Sequence, residues 1–374
     1  MAHVDPARDL KMTPWEIDPS GDVLLTLYNP NAPFAVWSPD EKIEHDSLSK
    51  TESELDPDTT YESESESMLN VKSAFESTIA SELTDSTEKN LHNDSPRVAK
   101  YLVSSKHLIL ASKYFENLFR GPWMEGAEVH SDGCRHVSAE DWDEEALLIL
   151  MKIIHGRNKD ISRTISLEMY AKIAVLVDYY KCHEAVILWS DIWKTELLLA
   201  FPAEFGRDLV LWILITSVFE DGIWFKMATK IAINHGDNDL PTMNLPILAA
   251  AGRINFQRRN RIRQICDFLF GPGAVSGADS FGCDFTCSSF MLGALILQMH
   301  KNGLDSKPKP PYTGYSIDSV LKMIQNFETP EWPSPDLRLD HVECTVPELL
   351  AEQMGCGDEP GIELSELFHA SIDD

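Results

Sequence analysis

The sequence predicts an α+β protein in two parts: helical hairpins around a small sheet over residues 17–200, then an all-α domain over 201–374. Three observations predict this. A β-rich run at Asp22 to Tyr28 is answered by a second at Val98 to Val103. From Lys106 onward apolar residues recur at helical spacing, in consecutive pairs of segments. After Phe201-Pro202 the pattern is almost entirely helical. With 374 residues, 43% of them hydrophobic, the chain can fill two cores if one segment is left out of the packing.

That segment is residues 40–97, where Glu41 to Asn70 is crowded with Ser, Thr, Glu and Asp and poor in large aliphatics; a disordered acidic insert is expected. It would be a swollen hairpin loop, since closure entropy grows by only about 0.6 kcal/mol per doubling of loop length. Residues 1–16 are expected to be a disordered N-terminus, and Phe34 to Trp37 a short strand extending the hairpin.

Lys106 to Phe119 carries Leu108, Ala111, Phe115, Leu118 and Phe119 on one stripe and stops at Gly121-Pro122. A short strand is expected near Val129 to Val137. Asp141 then caps a helix bearing Ala146, Leu147, Leu150, Ile153 and Ile154, with Glu144 placed for a capping box. Ser166 caps the next, faced by Leu167, Tyr170, Ala171, Ala174 and Val177, and its partner carries Val186, Trp189, Ile192 and Trp193. Further helices are expected at Asp208 to Phe219, Trp224 to Asn234, about Leu245 to Phe270, Ser288 to His300 and Ser316 to Phe327.

A formal net charge of -28 disfavours a general phosphate-backbone binder, because the whole chain repels polyanions. The N-terminal stretch lacks the basic start and apolar centre of a secretory signal, so an intracellular protein, cytoplasmic or nuclear, is expected. The longest apolar run, Leu209 to Phe219, is about half of the roughly 20 residues needed to span a bilayer. Seven cysteines, an odd number, fit reduced thiols better than a disulfide framework.

Motifs for chemistry are thin, and no cofactor motif, catalytic constellation or complete metal site is read. Cys283 and Cys287 could hold half a zinc site, but the nearest extras considered, Cys266 and His300, have no ordered spacing, so buried free thiols are expected. Cys182-His183 reads as a turn and core element rather than a nucleophile and base. Gly271 to Gly277 lacks the preceding strand and following Lys of a phosphate loop. Arg253, Arg258, Arg259, Arg261 and Arg263 form the one basic concentration; a solvated helix face is expected, with an acidic-segment dock or nucleic-acid contact as alternatives.

Ser104 to Phe115, the acidic-start helix from Trp142 to His155-Gly156, and Ile173 to Cys182 resemble the corresponding stretches of the BTB/POZ family. With Gly121-Pro122-Trp123 they are similar to filamentous-fungal BTB proteins that carry a helical C-terminal extension. The likeness covers residues 17–200 well and the remainder loosely. It implies a non-enzymatic protein-interaction module with protein partners. Trp123-Met124-Glu125, following Phe119, stands where BTB adaptors of cullin-type ubiquitin ligases carry a hydrophobic-x-Glu element that fills a pocket on the cullin. The resemblance also implies a homodimer groove lined by Asp22, Ser104 and Lys106. Ser104 and Ser105 stand where the family has a His and a basic residue, which weakens that dimer. Two alternatives remain from sequence: a BTB-containing transcription or chromatin regulator, and an enzyme with an unfamiliar site in the C-terminal domain.

Overall fold

The computed structural model describes residues 14–37, 97–121, 128–271, 283–332, 341, 344–354 and 357–369. All of them belong to one compact unit. Nearly all of the expected insert, residues 40–97, lies outside the described residues, as do 1–13 of the N-terminal stretch.

The described residues form a mixed α+β structure with four strands: β1 (Trp15–Glu16), β2 (Val23–Tyr28), β3 (Val98–Val103) and β4 (Arg135–Glu140). Their order in the sheet is β1-β3-β2-β4, with β2 antiparallel to β3 and parallel to β4. Alternation decides which face is buried. Val23, Leu25 and Leu27 lie opposite Val103, Tyr101 and Ala99 across β3, and Leu25 and Leu27 lie opposite Val137 and Ala139 across β4; all point inward. A one-residue slip would turn every one of these side chains to the wrong face.

Three expectations fail here for local reasons. Part of the stretch expected to be disordered is a strand, because Trp15–Glu16 pairs with β3 as β1. Phe34 to Trp37 is not a strand: Pro33 supplies no amide donor, and Ala35 sits at a positive φ of 46°. The strand expected near Val129 to Val137 runs over Arg135–Glu140 instead, as β4.

The helical hairpin is α1 (Ser105–Ala111) and α2 (Lys113–Arg120), where the apolar stripe from Lys106 to Phe119 by itself reads as one helix. Ser112 breaks it. Its backbone is extended, its hydroxyl accepts from the Phe115 amide at 3.1 Å, and the same hydroxyl donates to the Tyr180 carbonyl at 2.5 Å. Helix α3 (Glu144–Ile154) is capped by Asp143, which accepts from the Ala146 amide at 2.9 Å, not by Asp141. Asp141 instead sits at φ 64° and accepts from Asn29 at 2.6 Å, and the Glu144 amide is taken by Asn31, so no capping box forms. Helices α4 (Leu167–Tyr180), capped by Ser166, and α5 (His183–Leu197) follow as a pair.

From residue 207 the chain continues as α6 (Arg207–Val218), α7 (Gly222–His235), α8 (Leu248–Phe270), α9 (Phe285–Lys301), α10 (Ile317–Gln325), α11 (Val346–Met354) and α12 (Ser365–His369). Helix α6 buries residues on every side from Leu209 to Thr216, as a helix apolar all round must. Among the described residues, no helix is long and apolar enough to cross a membrane.

The boundary expected at 200/201 does not separate two cores. The Tyr170 ring of α4 stacks on Phe219 at 5.6 Å, and Arg207 reaches back to Glu168 at 2.7 Å and to the Ala35 carbonyl at 2.9 Å. One hydrophobic core runs from Ile17 to Ile362. Phe115, Leu150, Ala174 and Trp189, one from each helical stripe of the N-terminal part, are all buried in it.

Candidate functional site

The expected partner-facing residues are only partly placed. Trp123, Met124 and Glu125 lie outside the described residues. Phe119, near the end of α2, is half-buried: its ring stacks on Phe115 at 6.0 Å and the Arg135 guanidinium lies over it at 5.7 Å. Lys106 is exposed on the first turn of α1.

Asp22 and the residues beside it are engaged within the chain. Asp22 accepts from the Ser105 amide and hydroxyl, both at 2.7 Å, and from Arg135 at 3.1 Å. Partial burial pushes its carboxyl up, but the Ser105 bonds and Arg135 together hold it below its ordinary value of 3.8. Ser104 donates its amide to Nε2 of His155 at 2.9 Å, and Nδ1 of that ring meets the Met151 carbonyl at 2.8 Å. An Nε2 that accepts from an amide carries no proton, so His155 is neutral here. Burial pushes its pKa below 6.5.

The arginine run of α8 is not a solvated face. Arg258 is 1% exposed. Its guanidinium donates to Asp239 at 3.1 Å and to the carbonyls of Pro311 at 2.8 Å and Tyr315 at 3.0 Å. Arg259 grips the same Asp239, Arg261 pairs with Glu359 at 3.2 Å, and Arg253 pairs with Glu366. Carboxylates from before and after α8, Asp239, Glu359 and Glu366, thus neutralise much of the basic concentration, leaving less field for a polyanion.

A groove of about 1040 Å³ opens beside the start of α7. Phe219, Ile223, Met227 and Pro360 give it an apolar lining. Its three lysines are paired with carboxylates: Lys194 with Asp221 at 2.7 Å, Lys230 with Asp358 at 3.1 Å, and Lys226 with Glu363. Burial pushes the Lys194 pKa down, but Asp221 and Asp191 hold it above its ordinary value, the reverse of what a general base needs. Cys182 is likewise unsuited to attack, since burial pushes its thiol up to about 12.

One constellation was missed. Sγ of Cys283, Cys287 and Cys344 and a ring nitrogen of His341 all lie within 4.8 Å of one another. Cys283 precedes α9 and Cys287 sits in its first turn; Asp284 between them caps the helix by accepting the Cys287 amide at 2.7 Å. His341 and Cys344 close a turn before α11 through the Cys344 amide and His341 carbonyl at 3.1 Å. Nδ1 of His341 is 2.9 Å from Sγ of Cys283, and the ring stacks on Trp332 at 4.2 Å. Trp332 in turn meets Phe290 of α9 at 4.8 Å.

The expectation of buried free thiols is therefore corrected: Cys283 is exposed, and only Cys287 of the pair is buried. The extras considered from sequence do not join them. Cys266 is buried on α8, where burial raises its thiol to about 11, and His300 pairs with Asp305 at the surface. The signal that could have found the true partners is the His-x-x-Cys spacing of His341 and Cys344. Comparison of the chain with protein-family models, with curated proteins and with solved structures finds no match.

Proposed function

We propose that this chain is a non-enzymatic protein-interaction module of BTB/POZ type, whose N-terminal α+β part engages a protein partner through the surface that follows α2. The partner proposed is the N-terminal domain of a cullin scaffold, with the chain acting as an adaptor. The observation that carries the reading is the order of elements. A β2/β3 hairpin leads into the α1/α2 helical hairpin, then into β4 parallel to β2, then into α3 and the α4/α5 pair. The apolar lining of the groove and the pairing of its three lysines with carboxylates support binding over catalysis.

Trp123 is the proposed anchor. An aromatic side chain entering a desolvated pocket is the usual form of a hot spot, worth about 2 kcal/mol or more on truncation. Purified full-length chain should bind a cullin N-terminal domain, and Trp123→Ala should weaken that binding at least about tenfold with the melting temperature unchanged. A wild-type chain that shows no binding at tens of micromolar removes the adaptor reading. A Trp123→Ala variant that loses stability instead means that Trp123 packs against its own fold.

A further inference from the structure

We propose that Cys283, Cys287, His341 and Cys344 together bind one zinc ion in a closed, structural, tetrahedral site. This stands apart from the partner reading and on different residues.

Convergence is the first argument. Zinc bound at about 2.3 Å from sulfur and 2.0–2.1 Å from nitrogen sets ligand-to-ligand edges of roughly 3.5–3.8 Å. Four donor atoms within 4.8 Å of one another need to contract by no more than about an ångström to meet that tetrahedron. The 2.9 Å separation of Nδ1 of His341 from Sγ of Cys283 must open by roughly half an ångström. That is a small shift for an imidazole sliding along the face of Trp332.

Donor chemistry is the second. Three thiols and an imidazole are soft to borderline ligands, which select zinc over magnesium or calcium. Four protein ligands leave no position for water or substrate, so the ion would hold structure rather than perform chemistry. The ligands come in two short-spaced pairs distant in sequence, Cys-x-x-x-Cys at the start of α9 and His-x-x-Cys just before α11. A shared ion would tie those two segments together.

Electrostatics is the third. The three sulfurs stand within 4.8 Å of one another, with Cys287 buried. Three adjacent thiolates are therefore unfavourable without a cation, and a divalent ion at their centre supplies the compensating charge. The start of α9 adds the positive end of a helix dipole. On binding, each thiol gives its proton to solvent and its sulfur lone pair to the metal. No oxidation state changes.

The test uses the full-length chain, purified without chelator and analysed for metal by mass spectrometry. About one zinc per chain is expected for wild type. Cys287→Ser and Cys344→Ser should bring it to background, and Cys266→Ser, which removes a buried thiol elsewhere, should keep it. Stripped protein reloaded with cobalt(II) should show an intense tetrahedral spectrum with thiolate-to-cobalt charge transfer. Removing the metal should lower the melting temperature of wild type by roughly 5 °C or more and leave Cys287→Ser unmoved. If the serine variants do not fold, His341→Cys keeps four ligands and should keep the metal with stronger charge transfer. The proposal is overturned by wild-type chain that carries no zinc and gives no tetrahedral cobalt spectrum. It is equally overturned by a disulfide among these cysteines in unreduced peptides, or by serine variants that fold and retain the metal.

Discussion

Arg258→Met puts the reinterpretation of the arginine run to a quantitative test. The native guanidinium makes three good hydrogen bonds, to Asp239 and to the carbonyls of Pro311 and Tyr315, at 1% exposure. A methionine matches much of the stem volume and makes none of them. Asp239 is not abandoned, because Arg259 still binds it through its own guanidinium. The two backbone carbonyls lose their donor at part-buried bonds, and an acceptor left without one costs up to about 1–3 kcal/mol where water does not reach it. Removing the buried cation also removes its desolvation cost, which burial signals by lowering the Arg258 pKa. The net loss should fall at about 2–5 kcal/mol, just below or within the range for breaking a buried ion pair. Urea titration followed by far-ultraviolet circular dichroism should show an earlier midpoint with unchanged slope. Arg263→Met, at an exposed position of the same helix, should stay within about 0.5 kcal/mol of wild type. Arg258→Lys should lie between, since a single ammonium cannot serve the fork of acceptors. An Arg258→Met protein as stable as wild type would refute the reasoning, and would mean that the desolvation cost of the guanidinium cancels its bonds.

Phe115→Ala should destabilise by about 3–5 kcal/mol, because the ring is fully buried and stacks on Tyr180 at 5.0 Å; calorimetric melting checks it, and a shift within noise would mean that the cavity collapses without cost. His155 sets a pH dependence. Its folded pKa lies below 6.5, so the unfolded chain takes up the proton first, and the stability it contributes is complete above about pH 6.5 and lost as pH falls through the folded value. Protonation there would also break the bond from the Ser104 amide. His155→Gln keeps an acceptor and does not titrate, so the difference in melting temperature between wild type and variant should change between about pH 5 and 8; a constant difference would sink the assignment.

The helices were legible where a stripe recurs every three or four residues: the expected spans for α6, α7 and α8 lie within a few residues of the observed ones. Strands β2 and β3 were legible as β-rich runs; their register is set by which face the sheet buries. What escaped is what depends on a residue far away in sequence. Apolar spacing runs on through Ser112 and does not mark the break between α1 and α2. The serine leaves the helix to donate to a carbonyl 68 residues later, and that bond exists only once α4 has packed beside α2. Asp141 and Asp143 are both sound N-cap residues, and the choice fell to Asp143 because Asn29 and Asn31, before the insert, occupy Asp141 and the Glu144 amide.

The same logic explains the two misread sites. Arg258 looks exposed when grouped with its charged neighbours Arg259 and Arg261, yet it stands four residues after Ile254 and four before Ile262, on the buried stripe of the helix. It is buried because Asp239 and the carbonyls at 311 and 315 arrive from two other segments with three acceptors in its fork geometry. Cys283 and Cys287 looked like half a site because a search by proximity in sequence reached Cys266 and His300 first. Helix α9 carries His300 several turns away from its own N-terminus, while the chain returns to that N-terminus after α10, bringing His341 and Cys344. Ligand pairs are local and legible in sequence; which two pairs meet is decided by how α9 and α11 pack, and that is a property of the folded core.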